Sequence, residues 1–210
     1  MAATELILIR HGVTAWNQEG RFQGCLDIGL ADEGHDQARL TGERLASTPL
    51  AAVYSSDLSR AMQTAAPIAR TQSLEVVADP GFRERHYGAF QGFTGAQISE
   101  RDPQSWQRWR AREPDFVLPG GGESLRQFYE RVRDALHRVA GCHAGQSVAI
   151  VTHGGVLDCV YRLGTGMALS APRQHDLLNA SLNRVGWDGV RFVVRDWADV
   201  AHLPRSIDDR

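Results

Sequence analysis

The sequence contains no lysine: all 23 of its Lys plus Arg residues are arginine. A P-loop nucleotide-binding protein needs a lysine at the end of its glycine-rich loop, and a Schiff-base enzyme needs a lysine amine, so both classes are excluded. The lysine-dependent protein kinases are excluded for the same reason. Arginine binds carboxylate and phosphate through paired hydrogen bonds. The composition therefore favours anionic ligands.

Cysteines, net charge and long apolar runs are also scarce. The three cysteines form no CxxC pair, so neither a disulfide framework nor a zinc ribbon is predicted, and a reducing cytoplasm is the expected location. A formal charge of −2 argues against a nucleic-acid partner. No apolar run approaches the roughly 18 residues of a membrane helix, and Glu5 beside the short run Leu6–Ile9 is not typical of a signal peptide. We expect no nucleic-acid or membrane partner, and a monomer or homodimer.

Hydrophobic periodicity predicts alternating strands and helices. Continuous apolar runs predict buried strands at Leu6–Ile9, Ala51–Tyr54, Leu74–Val77 and Val148–Val151. Helices are predicted from a cap at Asp32 to about Leu45, from Ser56 or Asp57 to Ala69, from Ser124 onwards, and from about Gly155 to Leu163. The segment Leu182–Asp196 is predicted to form two strands around an Asp188-Gly189 turn. This alternation indicates an α/β fold with a mostly parallel central sheet, whose ligand sits at the carboxyl ends of the strands.

The stretch at about 92–122 interrupts this alternation. It contains Trp106, Trp109, four arginines from Arg101 to Arg112, three prolines and the run Gly120-Gly121-Gly122. About 30 residues bury too little surface to form a separate domain. We therefore expect one domain over residues 1–210, with this stretch as a small helical insertion or lid over the site.

Chemically useful side chains follow several of the predicted strands. Arg10-His11-Gly12 ends the first strand and Thr152-His153-Gly154-Gly155 ends the fourth, while Arg60 lies in the first turn of a helix and Glu84 stands between two arginines. Any one of these residues alone is more often structural than catalytic. Together, two histidines, two arginines and one acid at one edge of the sheet are the set required for phosphoryl transfer without a metal. No HExxH motif is present, and no cysteine is followed by an arginine at the spacing of a cysteine phosphatase.

The order of these motifs resembles the histidine phosphatase superfamily, the phosphoglycerate-mutase-like proteins. The matching motifs are Arg10-His11-Gly12-x-Thr14-x-x-Asn17, Gln23-Gly24, Ser56-x-x-x-Arg60-Ala61-x-x-Thr64-Ala65, Glu84, Gly120-Gly121-Gly122-Glu123-Ser124 and Thr152-His153-Gly154-Gly155, and they extend from Ile7 to about His202. The resemblance implies a three-layer α/β/α sandwich with its site at the carboxyl ends of the strands. It also implies a phosphohistidine mechanism that uses no metal and no other cofactor.

The resemblance assigns a role to each matching position. His11 would be the phosphorylated nucleophile, Glu84 the acid/base, and His153 a catalytic ligand of the phosphoryl oxygens. The remaining positions would bind substrate, and they are Arg10, Asn17, Gln23, Gly24, Arg60, Arg85 and Gly154. A cluster of guanidinium groups disfavours the imidazolium form, which would keep His11 nucleophilic.

The superfamily contains both phosphatases and mutases, and the sequence has features of each. Glu84-Arg85-His86-Tyr87-Gly88 is similar to the mutase branch, but the lysine that mutases usually carry a few residues later is replaced by Phe93-Thr94-Gly95. The tandem arginines of mutases are matched only loosely by Arg108, Arg110 and Arg112. Gly122-Glu123-Ser124 and His153-Gly154-Gly155-Val156 look more like the phosphatase branch.

We therefore predict a hydrolase acting on a small phosphorylated metabolite. The alternatives are a phosphoglycerate mutase dependent on 2,3-bisphosphoglycerate and an inactive phosphoester-binding module. Trp106, Trp109, Phe116 and the arginines of the insertion are candidate specificity residues, although a pair of tryptophans three positions apart is more often helix packing.

Overall fold

The central sheet of the protein has six strands in the order β3-β2-β4-β1-β5-β6 in a computed structural model that describes residues 3–204. The strands are Thr4–Arg10 (β1), Ala52–Ser55 (β2), Val76–Ala78 (β3), Ser147–Thr152 (β4), Leu182–Trp187 (β5) and Phe192–Asp199 (β6). The first four are mutually parallel, whereas β5 and β6 are antiparallel to their neighbours. The predicted mostly parallel sheet and the terminal hairpin are both confirmed.

Within residues 3–204, seven α-helices connect or flank these strands. They are Ala15–Gln18 (α1), Asp32–Leu45 (α2), Ser59–Gln72 (α3), Gly95–Arg101 (α4), Pro103–Arg110 (α5), Leu125–Cys142 (α6) and Gly154–Thr165 (α7). The predicted helix starts were wrong at two places. Asp32 is the first residue of α2 and not its cap, which is Ala31, and α3 begins at Ser59 and not at Ser56 or Asp57.

Alternate residues of the sheet pack against helices on its two faces. Leu6 and Leu8 join a cluster that includes apolar residues of α6 and α7, whereas Ile7 and Ile9 join a cluster that includes apolar residues of α2 and α3. Successive side chains of a strand point to opposite faces, so a continuous apolar run is the pattern that a sheet covered on both sides requires. The α/β/α sandwich is confirmed.

The adjacent parallel strands β1 and β4 end side by side. Arg10 is aligned with Thr152, and the backbone N–H of His11 donates to the carbonyl of Thr152 at 2.9 Å. The next residues along each strand are therefore neighbours. This register places His11 next to His153.

The predicted insertion contains α4 and α5 with an aromatic cluster of their own. Phe90, Ile98 and Leu118 form its buried centre, and the Trp106 and Trp109 rings stack at 4.9 Å. The ends of the predicted domain, residues 1–2 and 205–210, lie outside the described residues. Within residues 3–204, the helices are too short or too polar to cross a bilayer.

Candidate functional site

Two buried histidines lie side by side at the carboxyl end of the sheet. The His11 and His153 ring centroids are 5.2 Å apart, and the side chains are 3% and 0% exposed. His153 Nε2 shares a hydrogen bond with the Ser56 hydroxyl at 2.8 Å. The side chains that follow β1, β4 and β2 are thus in contact in the structure. The sequence predicted that these strands end at the same edge of the sheet but not which side chains would touch.

The hydrogen bonds of His11 define its tautomer. Nδ1 lies 2.7 Å from the carbonyl oxygen of Gly12, which can only accept, so Nδ1 carries the proton and Nε2 keeps its lone pair. Burial holds the pKa of His11 well below its usual value, and the charges of Arg60 and Arg10 lower it further. The same causes, with burial again the largest, lower the pKa of His153. His11 is therefore a neutral imidazole with a free nitrogen at neutral pH.

Arg60 is the most deeply buried cation next to these histidines. Its side chain is 0% exposed, and its Nη atoms donate to the carbonyls of Gly24 at 2.7 Å and Leu26 at 2.8 Å. Burial lowers its pKa to about 10, so the guanidinium remains charged at neutral pH. Arg10, also buried, donates through Nη1 to the carbonyl of Leu177. Both cations donate to backbone carbonyls, which are neutral acceptors.

Glu84 is held by backbone N–H groups and not by the side chains of the arginines that flank it. Its two carboxylate oxygens accept from the N–H of Arg85 at 2.8 Å and from that of Gly155 at 2.9 Å. The flanking side chains point elsewhere: Arg83 pairs with Asp57 at 2.7 Å, and Arg85 donates to the carbonyl of Glu123. Burial raises the pKa of Glu84, although the two backbone hydrogen bonds oppose that rise.

Gly155 leaves no room for a side chain next to this carboxylate. A Cβ at position 155 would lie 2.2 Å from Glu84 Oε1, which is closer than non-bonded atoms approach each other. We expect Gly155→Ala to displace the carboxylate and lower turnover by about 10²-fold, the cost of misplacing a reacting group by about 1 Å. The matched control is Gly141→Ala, at an exposed position near the end of α6, where a Cβ meets nothing within 4 Å. Steady-state kinetics of both variants check this, and a Gly155→Ala enzyme as active as its Gly141→Ala counterpart would contradict it.

The site opens into two adjoining cavities, of about 770 and 490 Å³. Five residues line both: Arg10, Glu84, Tyr87, Trp109 and Arg110. The larger cavity is also lined by the predicted residues His11, Asn17, Gln23, Gly24 and Arg60, and the smaller by Arg85 and Gly154. His153 lines neither cavity; it is fully buried, with its ring edge-on to that of His11. The structure therefore places every predicted site residue on the wall of one pair of cavities, except His153, which lies beside His11.

Asn17 shapes the loop between β1 and α2. Its carboxamide oxygen accepts from the backbone N–H and the hydroxyl of Thr14, each at 3.0 Å, and closes a capping box at the start of α1. Gly24 has φ +55°, and a Cβ there would lie 2.2 Å from Gln91 Oε1. Both positions are therefore required by the loop as well as lining the cavity.

Three residues near the site escaped the sequence analysis as functional candidates. Ser56 binds His153, Asn179 donates to the carbonyl of His11 at 3.0 Å, and Tyr87 lines both cavities. Tyr87 stands in the Glu84-Arg85-His86-Tyr87 motif, which is a signal that could have identified it. Asn179 had none, because its contact spans 168 residues of sequence.

The insertion contributes aromatic and basic residues to the walls of both cavities. Trp106, Trp109 and Arg110 line the larger cavity, while Arg112 and Phe116 line the smaller. Arg112 is already paired with Asp158 at 2.6 Å. Arg108 lines neither cavity and pairs with Glu113 at 2.7 Å. Among residues 3–204, no group of three or more His, Cys, Asp or Glu side chains could hold a metal ion.

The chain is similar to known phosphatases over almost its entire length. A family profile described as the histidine phosphatase superfamily (branch 1) matches residues 6–200. A metal-independent phosphoserine phosphatase of Arabidopsis thaliana is 42% identical over 95% of this chain and 83% of its own. Phosphoglycerate mutase-like protein 4 of the same plant is 40% identical over 96% of this chain and 88% of its own.

Solved structures agree with this relationship. Bacillus stearothermophilus YhfR superimposes with a TM-score of 0.86 at 32% identity, covering 95% of this chain and 98% of its own. A phosphoserine phosphatase from Entamoeba histolytica, in complex with 3-phosphoglyceric acid, has a TM-score of 0.84 at 25% identity, covering 95% of this chain and 99% of its own. The prediction of a metal-independent phosphatase class is confirmed, and the chain belongs to the histidine phosphatase superfamily.

Proposed function

We propose that this protein hydrolyses small phosphomonoesters in two steps, through a phosphohistidine formed at Nε2 of His11. The observation that carries the proposal is the tautomer of His11, since its Nδ1–H is bound to the Gly12 carbonyl and its Nε2 lone pair is free in a cavity that Arg10, Arg60 and Glu84 also line. A neutral nitrogen nucleophile, two buried cations and one acid are together sufficient for phosphoryl transfer without a metal.

The first step transfers the phosphoryl group to the enzyme. Nε2 of His11 attacks phosphorus, the N–P bond forms, and the bond from phosphorus to the ester oxygen breaks. Arg10 and Arg60 face the phosphoryl oxygens and stabilise the charge that develops on them, and His153 supplies a further polar contact. Glu84, protonated, gives its proton to the departing alkoxide.

The second step returns the enzyme to its starting state. Glu84, now a carboxylate, takes a proton from water, and the resulting nucleophile attacks phosphorus. The N–P bond breaks, inorganic phosphate leaves, and the neutral imidazole and the protonated Glu84 are restored. The raised pKa of Glu84 suits both roles, because it brings the protonated and the ionised forms of the carboxyl closer in free energy near neutral pH.

The substrate is a small phosphorylated metabolite, and the site has room for more than the phosphate group. The smaller cavity adjoins the first at Glu84, where the leaving group departs, and Arg85 and Arg112 are on its wall. Relatives named for phosphoserine, and one bound to 3-phosphoglyceric acid, support a compact phosphorylated acid. The cytoplasmic location and the monomeric or homodimeric state stay predictions.

The decisive experiment separates hydrolysis from isomerisation. Purified protein is given 3-phosphoglycerate, phosphoserine and other monoesters, with and without 2,3-bisphosphoglycerate, and both free phosphate and 2-phosphoglycerate are measured. We expect phosphate release, unaffected by a chelator. Faster isomerisation would instead establish the mutase alternative, which the Glu84-Arg85-His86-Tyr87-Gly88 motif favours. If neither reaction were detected, the remaining hypothesis would be that the protein is an inactive phosphoester-binding module.

A further inference from the structure

Arg60 depends on a loop from another part of the chain for its orientation. Both carbonyls that bind its Nη atoms belong to Gly24 and Leu26, in the loop that follows α1. This loop is exposed at its tip, where Leu26 is 40% exposed. An exposed loop tip does not by itself hold two carbonyls on a buried guanidinium, so the contacts that fasten the loop matter.

Asp27, the next residue, attaches this loop to the start of α3. Its Oδ1 accepts from the backbone N–H of Ser59 and its Oδ2 from the Ser59 hydroxyl, each at 2.7 Å. The N-cap residue of α3, Leu58, has no side chain able to cap the helix. Asp27 therefore supplies the missing cap from 32 residues away, and the helix amino end favours its negative charge.

The cap and the catalytic cation lie next to each other on α3. Ser59 is the first residue of the helix and Arg60 the second. Asp27 therefore binds Ser59, while the carbonyls of Gly24 and Leu26 in the same loop bind Arg60. Gln63, one turn further, accepts from the N–H of Leu30 at 2.8 Å and secures the far end of the loop. Of the two side chains Asp27 and Gln63 that fasten this loop to α3, Asp27 is the charged one. Its charge also favours the charged form of Arg60, the cation whose charge contributes most to lowering the pKa of His11.

We infer that Asp27 is a positioning residue for phosphoryl transfer, which orients Arg60 by tying the Gly24–Leu26 carbonyls to the amino end of α3. The inference rests on the proposed function, since Arg60 is taken to bind the phosphoryl group. Loss of the tie frees the loop, and the guanidinium then loses the two acceptors that fix its plane. Asp27 itself lines neither cavity.

The test compares Asp27→Ala with Asp27→Asn, Ser59→Ala and the control Asp188→Ala. Like Asp27, Asp188 is an exposed aspartate that accepts two hydrogen bonds, in its case both from backbone N–H groups. It lies in the β5–β6 turn, away from this loop in the sequence. The measurements are kcat, KM, the calorimetric Kd for inorganic phosphate, and Tm. We expect Asp27→Ala to lower kcat/KM and to weaken phosphate binding by about 10- to 100-fold, the range of a misplaced binding group.

The other variants separate positioning from general stability. Asp27→Asn should recover most of the loss, because its amide oxygen still accepts from the Ser59 N–H and its NH₂ donates to the Ser59 hydroxyl. Ser59→Ala, which keeps the backbone half of the cap, should fall between Asp27→Asn and Asp27→Ala. Asp188→Ala should bind phosphate like the parent, with a similar drop in Tm to that of Asp27→Ala.

Parent-like kcat/KM and phosphate Kd in Asp27→Ala would overturn the inference, as would an equal loss in Asp188→Ala. If Asp27→Ala does not fold, an Asp27→Asn variant that loses as much kcat/KM as an Arg60→Ala variant would overturn it too, while parent-like Asp27→Asn with an impaired Ser59→Ala would support it. A parent protein that binds phosphate but hydrolyses no monoester would refute the proposed function alone, because phosphate Kd still reports on Arg60.

Discussion

We expect His11→Ala to hydrolyse phosphomonoesters at least about 10⁴-fold more slowly than the parent, since a nucleophile that forms a covalent intermediate has no substitute. Water could attack phosphorus in its place, but Glu84, protonated for the leaving group, could not at the same time act as its base. The arginines would still bind the substrate. The loss should therefore fall on kcat far more than on KM.

The same variant tests where the phosphoryl group resides between the two steps. Rapid denaturation of the parent during turnover of a radiolabelled monoester should leave label on the chain that acid removes and alkali does not, as for a phosphoramidate. His11→Ala should carry no such label. His35→Ala, at an exposed position of α2, should retain both label and turnover. Turnover by His11→Ala near the parent rate, or label on another residue, would contradict the mechanism.

We expect Glu84→Gln to lower turnover of alkyl monoesters by about 10²- to 10⁴-fold, the usual contribution of a general acid or base. The amide cannot transfer a proton. In the parent, each carboxylate oxygen accepts from a backbone N–H, so the NH₂ of the amide would face a donor with which it cannot form a hydrogen bond. Aryl monoesters should lose less in the first step, because a phenolate leaves without being protonated. Equal losses for alkyl and aryl esters in single-turnover experiments would argue against Glu84 as the acid.

The pH dependence follows from the raised pKa of Glu84. Its carboxyl must be protonated to assist the leaving group, so formation of the phosphohistidine from an alkyl ester should slow as the pH rises through that pKa. Burial places this alkaline limb above the usual range of a glutamic acid. Glu84→Gln removes this carboxyl, and its single-turnover rate should become independent of pH there. On the acid side, burial and the two arginines keep His11 neutral to well below pH 6.5.

The environment of Glu84 shows where sequence reasoning stopped. A glutamate between Arg83 and Arg85 suggests a surface ion pair. In the structure the first of these arginines pairs with Asp57 and the second with a backbone carbonyl. Adjacent residues on an extended segment point in different directions, so neighbours in sequence need not be partners. The two N–H groups that hold the carboxylate include one from α7, 71 residues away.

The sequence by itself determined the alternation of strands and helices, the covering of the sheet on both faces, and the histidines at two strand ends. These features depend on local periodicity and on the rule that parallel strands end at one edge, so short segments specify them. Only the tertiary structure decided that His11 carries its proton on Nδ1, that the ring of His153 lies edge-on to it, and that a loop held by Asp27 orients Arg60. Those facts depend on contacts between residues far apart in the chain, whose partners no local pattern specifies.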